Sequence, residues 1–192
     1  MTKVRDIDQL VQAAAKVFAE KGYEQARIED IAGELGLLKG SLYYHVSSKN
    51  ELLYLVVRQE ITPWVEAMEP IAAMEVSARE RMRLAIAQHM RNLQTQPVSR
   101  LFFEEALEAL QPEQRAEISG LYDHYTYLFV EIVKDGIAAG EFKAEMPARV
   151  VSLAIVGMLN WSQRWFKENG PASIDEVSAT FSTMILDGLG AG

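Results

Sequence analysis

The chain is 192 residues long, 49% hydrophobic and 24% charged, an ordinary globular composition with enough length to bury a sizeable core in one domain or two small ones. It has no cysteine, which excludes a disulfide framework and a thiolate metal site, and no apolar run of membrane-spanning length. The formal net charge is −8, yet the first 50 residues carry seven basic and seven acidic side chains, so the excess acid lies in the remainder, with 12 basic against 20 acidic residues.

The opening MTKVRDIDQL lacks the apolar core of a secretory signal, and the expected compartment is the cytoplasm. A first helix is predicted over residues 6–21, where Ile7, Leu10, Val11, Ala14, Val17 and Phe18 form one stripe and Gly22 follows as a stop. Tyr23 is placed to pack back on it.

Residues 27–49, RIEDIAGELGLLKGSLYYHVSSK, organise the chain. Ile28, Ile31, Ala32 and Leu35 recur at helical spacing, and Gly36 can take the left-handed conformation that ends a helix. A second short helix over Lys39 to Val46 buries Leu42 and Val46 and leaves Lys39, Ser41, Tyr44 and His45 on its other faces. Two short helices around a glycine turn make a helix-turn-helix, whose second helix enters the major groove of DNA. Lysine and protonated histidine supply charge to phosphates, Ser41 and Tyr44 supply directional hydrogen bonds, and Gly40 leaves the start of the helix open to a phosphate. The same pattern also fits a helical hairpin whose polar face is merely solvated.

Ser48 to Glu51 reads as a capping box for the next helix. Pro63 is expected to kink or end that helix near Thr62, as a hinge or as a plain break, and Pro70 to close the segment. A helix over 77–94 opens with Ser77 and Glu80 and carries Met82, Ala85, Ile86, His89, Met90 and Leu93. Leu101, Phe102, Ala106, Ala109 and Leu110 form a further stripe, with Glu104, Glu105 and Glu108 on its wet side. Pro112 suits the first position of a long helix ending near Ala139. Its apolar stripe, from Ile118 through Tyr122, Tyr125 and Phe129 to Ile137, is wide enough for contacts on two sides. Pro147 opens a helix with almost no charge between Arg149 and Arg164, and Ser173 caps the last one. These two broad apolar faces fit either a monomer core or a dimer seam.

The run GLLKGSLYYHVSSKNELL resembles the DNA-binding signature of the TetR family of transcriptional regulators. The likeness covers about the first 55 residues. It implies an all-α protein with a three-helix helix-turn-helix head, residues 1–49, and a helical ligand-binding and dimerisation domain, residues 50–192. By position it assigns Lys39, Gly40, Ser41, Tyr43, Tyr44, His45 and Lys49 to contacts with double-stranded operator DNA. Two positions depart from the family pattern. Arg27 stands where the family has a capping Thr or Ser; it cannot cap, though it can pair with phosphate. Leu38 replaces a frequent Ser; either another group caps the recognition helix or Leu38 meets a thymine methyl.

The resemblance further implies a homodimer through the helices of about 147–168 and 173–189, and a small-molecule effector held between the middle helices. Met68, Met82, His89, Met90, Phe102, Phe103, Tyr122, Tyr125, Trp161 and Trp165 are the candidate lining, although Met and aromatic side chains also simply fill cores, and a lone His on an apolar stripe reads first as a hydrogen-bonded core residue. The stretch MLNWSQRWFKENGP is similar to members that respond to acyl-CoA thioesters, which would set Arg79, Arg81, Arg83 and Arg164 towards the phosphates of CoA. An enzyme is disfavoured: three histidines, no cysteine and no glycine-rich phosphate loop offer no catalytic constellation, no metal motif and no cofactor site. A helical interaction protein without a DNA role is the other class left open, as is the choice between repressor and activator.

Overall fold

A computed structural model describes residues 7–95, 107–167 and 169–190, and among them the protein is helical with no strand. The order is α1 (Ile7–Lys21), α2 (Ile28–Glu34), α3 (Lys39–Leu42), α4 (Lys49–Ala72), α5 (Ala78–Thr95), α6 (Pro112–Ala138), α7 (Ala148–Trp161), a 3₁₀ turn (Ser162–Arg164) and α8 (Ile174–Leu189). The chain divides into two compact units, one from 1–61 with 98–120, the other from 62–97 with 121–192.

The first unit is built on α1. Leu10, Val11, Ala14, Val17 and Phe18 are buried with Ile28, Ile31 and Ala32 of α2, Leu42 of α3 and Leu52, Leu53 and Val56 of α4. Ile7, at the end of the α1 stripe, is exposed. Tyr23 packs back as expected, its ring edge-on to Phe18 at 5.4 Å. Gly36 has φ +65°, and the Leu37 N–H behind it donates to the Ala32 carbonyl at 2.8 Å, so α2 closes in the left-handed turn that glycine permits.

The expected second helix is shorter than its apolar spacing suggested. Regular α geometry covers Lys39–Leu42, and the N–H groups of His45 and Val46 then both donate to the Leu42 carbonyl, at 2.9 and 3.1 Å. The chain tightens there and brings Val46 into the core one turn after Leu42.

Neither Pro63 nor Pro70 ends α4, which runs unbroken to Ala72. Each proline deprives one carbonyl of its helical partner, but Trp64, Val65 and Met68 are all buried after Pro63, and their burial outweighs one lost backbone bond.

In the second unit α5 lies on α8. The start of α5 is held by Glu141, whose carboxylate accepts the N–H groups of Ala78 and Arg79 at 3.1 and 3.0 Å, while Ser77 Oγ accepts from Glu80 N at 3.2 Å. Gly140, with φ +72°, ends α6, and Phe142 folds back so that its ring occupies the space above Gly136. Pro147 stands at the N-cap of α7. That helix stops at Trp161, short of the expected 168, and gives way to a 3₁₀ turn. A complete capping box opens α8: Ser173 Oγ accepts from Glu176 N at 3.2 Å, and the Glu176 carboxylate accepts from Ser173 N at 2.7 Å.

Candidate functional site

The start of α2 carries Arg27 at its N-cap, and the arginine side chain makes no cap. The missing bond is supplied from the other side: the Asp30 carboxylate accepts the Arg27 N–H at 2.9 Å. Asp30 also meets Lys21 at 2.7 Å, and these bonds hold its carboxyl below the usual aspartate range, the Lys21 hydrogen bond contributing most. Arg27 is exposed, its guanidinium unconstrained by the cap.

Leu38, Lys39, Gly40, Tyr43, Tyr44 and His45 are all exposed around α3, and Ser41 is half-buried. No side chain caps α3; Leu38 holds the N-cap in extended conformation with 77% of its surface free. Tyr44 is 90% exposed and Tyr43 49%. Two tyrosine rings and a leucine thus stand in solvent on one short segment, the kind of apolar exposure that marks interaction sites in general. A Cβ built on Gly40 meets nothing within 4 Å, so nothing in the protein's own packing requires glycine there.

The two lysines are already engaged. Lys39 Nζ lies 2.7 Å from the Glu29 carboxylate of α2. Lys49 Nζ sits over the Tyr23 ring, 4.3 Å from its centroid, and donates to the Glu24 carbonyl at 3.3 Å. Lys49 therefore braces the α1–α2 loop from the start of α4. Beside it, the Ser48–Glu51 cap takes a shifted form: Ser48 Oγ accepts from Glu51 N at 3.0 Å, but Glu51 accepts from Ser47 N at 2.6 Å, one residue earlier than expected.

In the second unit Met68, Met82, His89, Met90 and Tyr125 are buried, and Tyr122 is half-buried. His89 Nδ1 and the Tyr125 hydroxyl share a hydrogen bond of 3.0 Å. Trp64 completes this cluster, 5.2 Å from the His89 ring and 5.8 Å from Tyr125, with Phe129 against both. Sequence reasoning missed Trp64 because it follows Pro63, where a helix end was expected. Trp161 and Trp165 do not share this cluster's burial, being 61% and 48% exposed, with Arg164 over the Trp161 ring at 5.1 Å. Phe102 and Phe103, like Glu104 and Glu105, fall outside the described residues.

The four arginines weighed for phosphate binding are dispersed. Arg79 and Arg83 line a groove of about 500 Å³ between α5 and α8, with Arg91, Ser182, Asp175 and Asp187. Arg83 is forked on Glu80, with Nε 2.8 Å from the carboxylate. Arg81 instead bonds Asp135 at 2.8 Å and the Ala72 carbonyl at 2.9 Å, a brace between helices. Sequence reasoning also missed two polar residues. The amides of Asn160 and Gln163, at the end of α7, each bury a polar atom, Asn160 Oδ1 and Gln163 Nε2, without a hydrogen-bond partner. Their signal was present: they extend the buried stripe of Ser152, Ile155, Val156 and Leu159 at helical spacing.

Comparison with known proteins agrees along the length of the chain. Residues 10–55 match the family described as bacterial regulatory proteins, tetR family, and residues 75–189 match the tetracyclin repressor-like C-terminal domain. The HTH-type transcriptional repressor KstR2 of Mycolicibacterium smegmatis is 26% identical over 185 residues, 95% of this chain and 89% of that protein. The fatty acid metabolism regulator protein of Bacillus subtilis is 26% identical over 182 residues, 94% of each. Among solved structures, the TetR family regulator PfmR of Thermus thermophilus has 31% identity and a TM-score of 0.85, covering 95% of this chain and 99% of that one. FadR of Bacillus subtilis, solved in complex with stearoyl-CoA, shares the fold at 23% identity and a TM-score of 0.78, with 96% and 100% covered.

Proposed function

The chain belongs to the TetR family of DNA-binding transcriptional regulators, not to an enzyme family, and from that premise we propose that it is a cytoplasmic repressor that holds a palindromic operator as a homodimer and lets go when it binds an acyl-CoA thioester. The observation that carries the DNA reading is the open face around α3. Leu38, Tyr43 and Tyr44 stand in solvent and Gly40 leaves room for a backbone from outside. Lys39, Ser41 and His45 share that segment, Arg27 opens α2, and Lys49 holds the loop beside it. Phosphate contacts from the cations would fix register, while Leu38 and the tyrosines reach base edges and thymine methyls.

The dimer reading is supported by α7. Val150, Leu153 and Trp161 are exposed at helical spacing on a helix with no charge between Arg149 and Arg164, and Met184 of α8 is exposed as well. Two heads on half-sites about one helical turn apart, ~34–36 Å, would give the affinity that one head of zero net charge lacks. The effector reading rests on the fatty-acid regulator among the relatives and on the Met- and aromatic-rich core of the second unit.

The test is binding of the purified protein to its own upstream intergenic DNA across a salt series, with Tyr44→Ala and Lys39→Ala beside the wild type. Tight wild-type binding, weakened about tenfold or more in Tyr44→Ala and falling with salt, is the expected result. Equal binding by all three proteins would remove α3 from the interface. Addition of acyl-CoA thioesters of graded chain length to the bound complex then tests release.

A further inference from the structure

The short helix α2 carries three carboxylates, and each holds a lysine of a neighbouring helix. Glu34 pairs with Lys16 in α1, Asp30 with Lys21 at the end of α1, and Glu29 with Lys39 in α3, the last two at 2.7 Å. Lys49 is held by the Tyr23 ring and the Glu24 carbonyl. Arg27 differs from all four. It is exposed, and among the described residues its guanidinium makes no ion pair and no hydrogen bond; Asp30 closes the cap of α2 in its place.

A lysine bonded to a carboxylate is already a neutral unit. Moving it to a phosphate releases one cation from the duplex but leaves behind a bare carboxylate, which takes up a cation in turn or repels the DNA. The net release is small. An arginine without a partner leaves no such carboxylate, so its whole charge goes into the contact. We propose that the three lysine pairs around α2 are clamps that stay closed on DNA, and that Arg27 supplies the phosphate charge of the head. The assignment rests on the operator reading above and narrows it. Family position places Lys39 on the operator; its pair with Glu29 makes it instead the tie between α3 and α2. Register then depends on Arg27, and base reading on the exposed Leu38, Tyr43 and Tyr44.

The experiment uses the full chain and its own upstream intergenic DNA, with affinity measured by fluorescence anisotropy across a salt series. The wild type is set beside Arg27→Gln, Arg27→Lys and the double variant Glu29→Gln/Lys39→Gln, which removes one clamp as a neutral unit. Thermal unfolding of each checks the fold. A lost phosphate contact lowers the slope of log affinity against log salt by about 0.9. Arg27→Gln should lower it by about that much for every head bound and weaken binding about tenfold at low salt, while Arg27→Lys restores the slope. The double variant should lose less than about half as much slope as Arg27→Gln. An unchanged slope in Arg27→Gln overturns the proposal and leaves the operator reading standing, as does a folded double variant that loses as much slope as Arg27→Gln. Should the double variant not fold, the Arg27 variants decide alone. Absence of wild-type binding at any salt overturns both the proposal and the operator reading.

Discussion

Lys39 and Glu29 face each other across the helix-turn-helix, ammonium to carboxylate at 2.7 Å, so the first cation of α3 is already paired from α2 before any phosphate arrives. Their hydrogen bond lowers the Glu29 carboxyl and raises the Lys39 ammonium relative to their ordinary values. On the proposed interface, Glu29 would compete with phosphate for Lys39. In Glu29→Gln the competition ends, and binding to a non-specific duplex should tighten about two- to fivefold at low salt, the gain shrinking as salt rises. Fluorescence anisotropy with a duplex lacking the operator reads this directly; no change at any salt would mean that Lys39 does not reach phosphate.

Gly40 separates folding from recognition. A methyl group there finds open space and improves helix propensity, so Gly40→Ala should leave Tm unchanged or slightly raised. On the proposed interface the same methyl would stand in the path of the DNA backbone, and operator affinity should fall about tenfold. Thermal unfolding and DNA titration on one preparation check both halves.

A negative charge on the α7 stripe tests the seam. Leu153 is exposed, so Leu153→Glu costs the isolated subunit little, but on a face that meets its own copy it sets like charges together. If the proposed seam is right, sedimentation should show the wild type as a dimer and the variant as a monomer, with operator binding lost in parallel.

Gly136 is fixed by its neighbour. A Cβ at this position would run into the Phe142 ring, and Phe142 is buried. Gly136→Ala should therefore destabilise the protein by about 1–3 kcal/mol in urea unfolding, despite the better helix propensity of alanine. In a Phe142→Ala background the clash is gone, and the same substitution should cost little. That non-additivity is the signature to look for.

Glu60 makes stability depend on pH. Burial pushes its carboxyl from 4.5 up to about 7. The folded protein thus holds this proton more tightly than the unfolded chain does. The resulting stabilisation is complete below about pH 4.5, declines as pH rises towards 7, and is gone above it. Glu60→Gln stays neutral throughout. Above pH 7 it should be more stable than the wild type by about 1–2 kcal/mol, less than the full shift implies because the side chain keeps some contact with water. Below pH 4.5 the two proteins should converge, which parallel denaturation curves at several pH values will show.

The helical architecture was legible because its signals are local. The stripe of α1, the glycine after α2, the serine caps of α5 and α8 and the proline at the start of α6 each act within one or two turns, and the structure uses each as read. Long-range choices were not. Nothing near Ala78 announces that a carboxylate 63 residues away will cap α5. Pro63 carries a strong local signal to stop, and the burial of Trp64, Val65 and Met68 overrides it. At the head, the arginine at the α2 cap looked like a defect because the remedy, Asp30, lies on the far side of the bond. The exposed face of α3 could be read as polar or aromatic from sequence, but its internal ion pair with Glu29 required coordinates.

The turn after α6 has a consequence for how the protein can be handled. Glu141 caps the start of α5, Phe142 pairs with Gly190, and Lys143 takes up the carbonyls of Leu189 and Gly188 through its N–H and its ammonium, each at 2.9 Å. Three helix ends are therefore knotted at four consecutive residues, Gly140 to Lys143. Clipping the chain before Gly188 would strip partners from that knot as well as shortening α8. An affinity tag cleaved too deeply at this end would leave a protein whose damage surfaces as a loosened α5, well away from the cut in sequence.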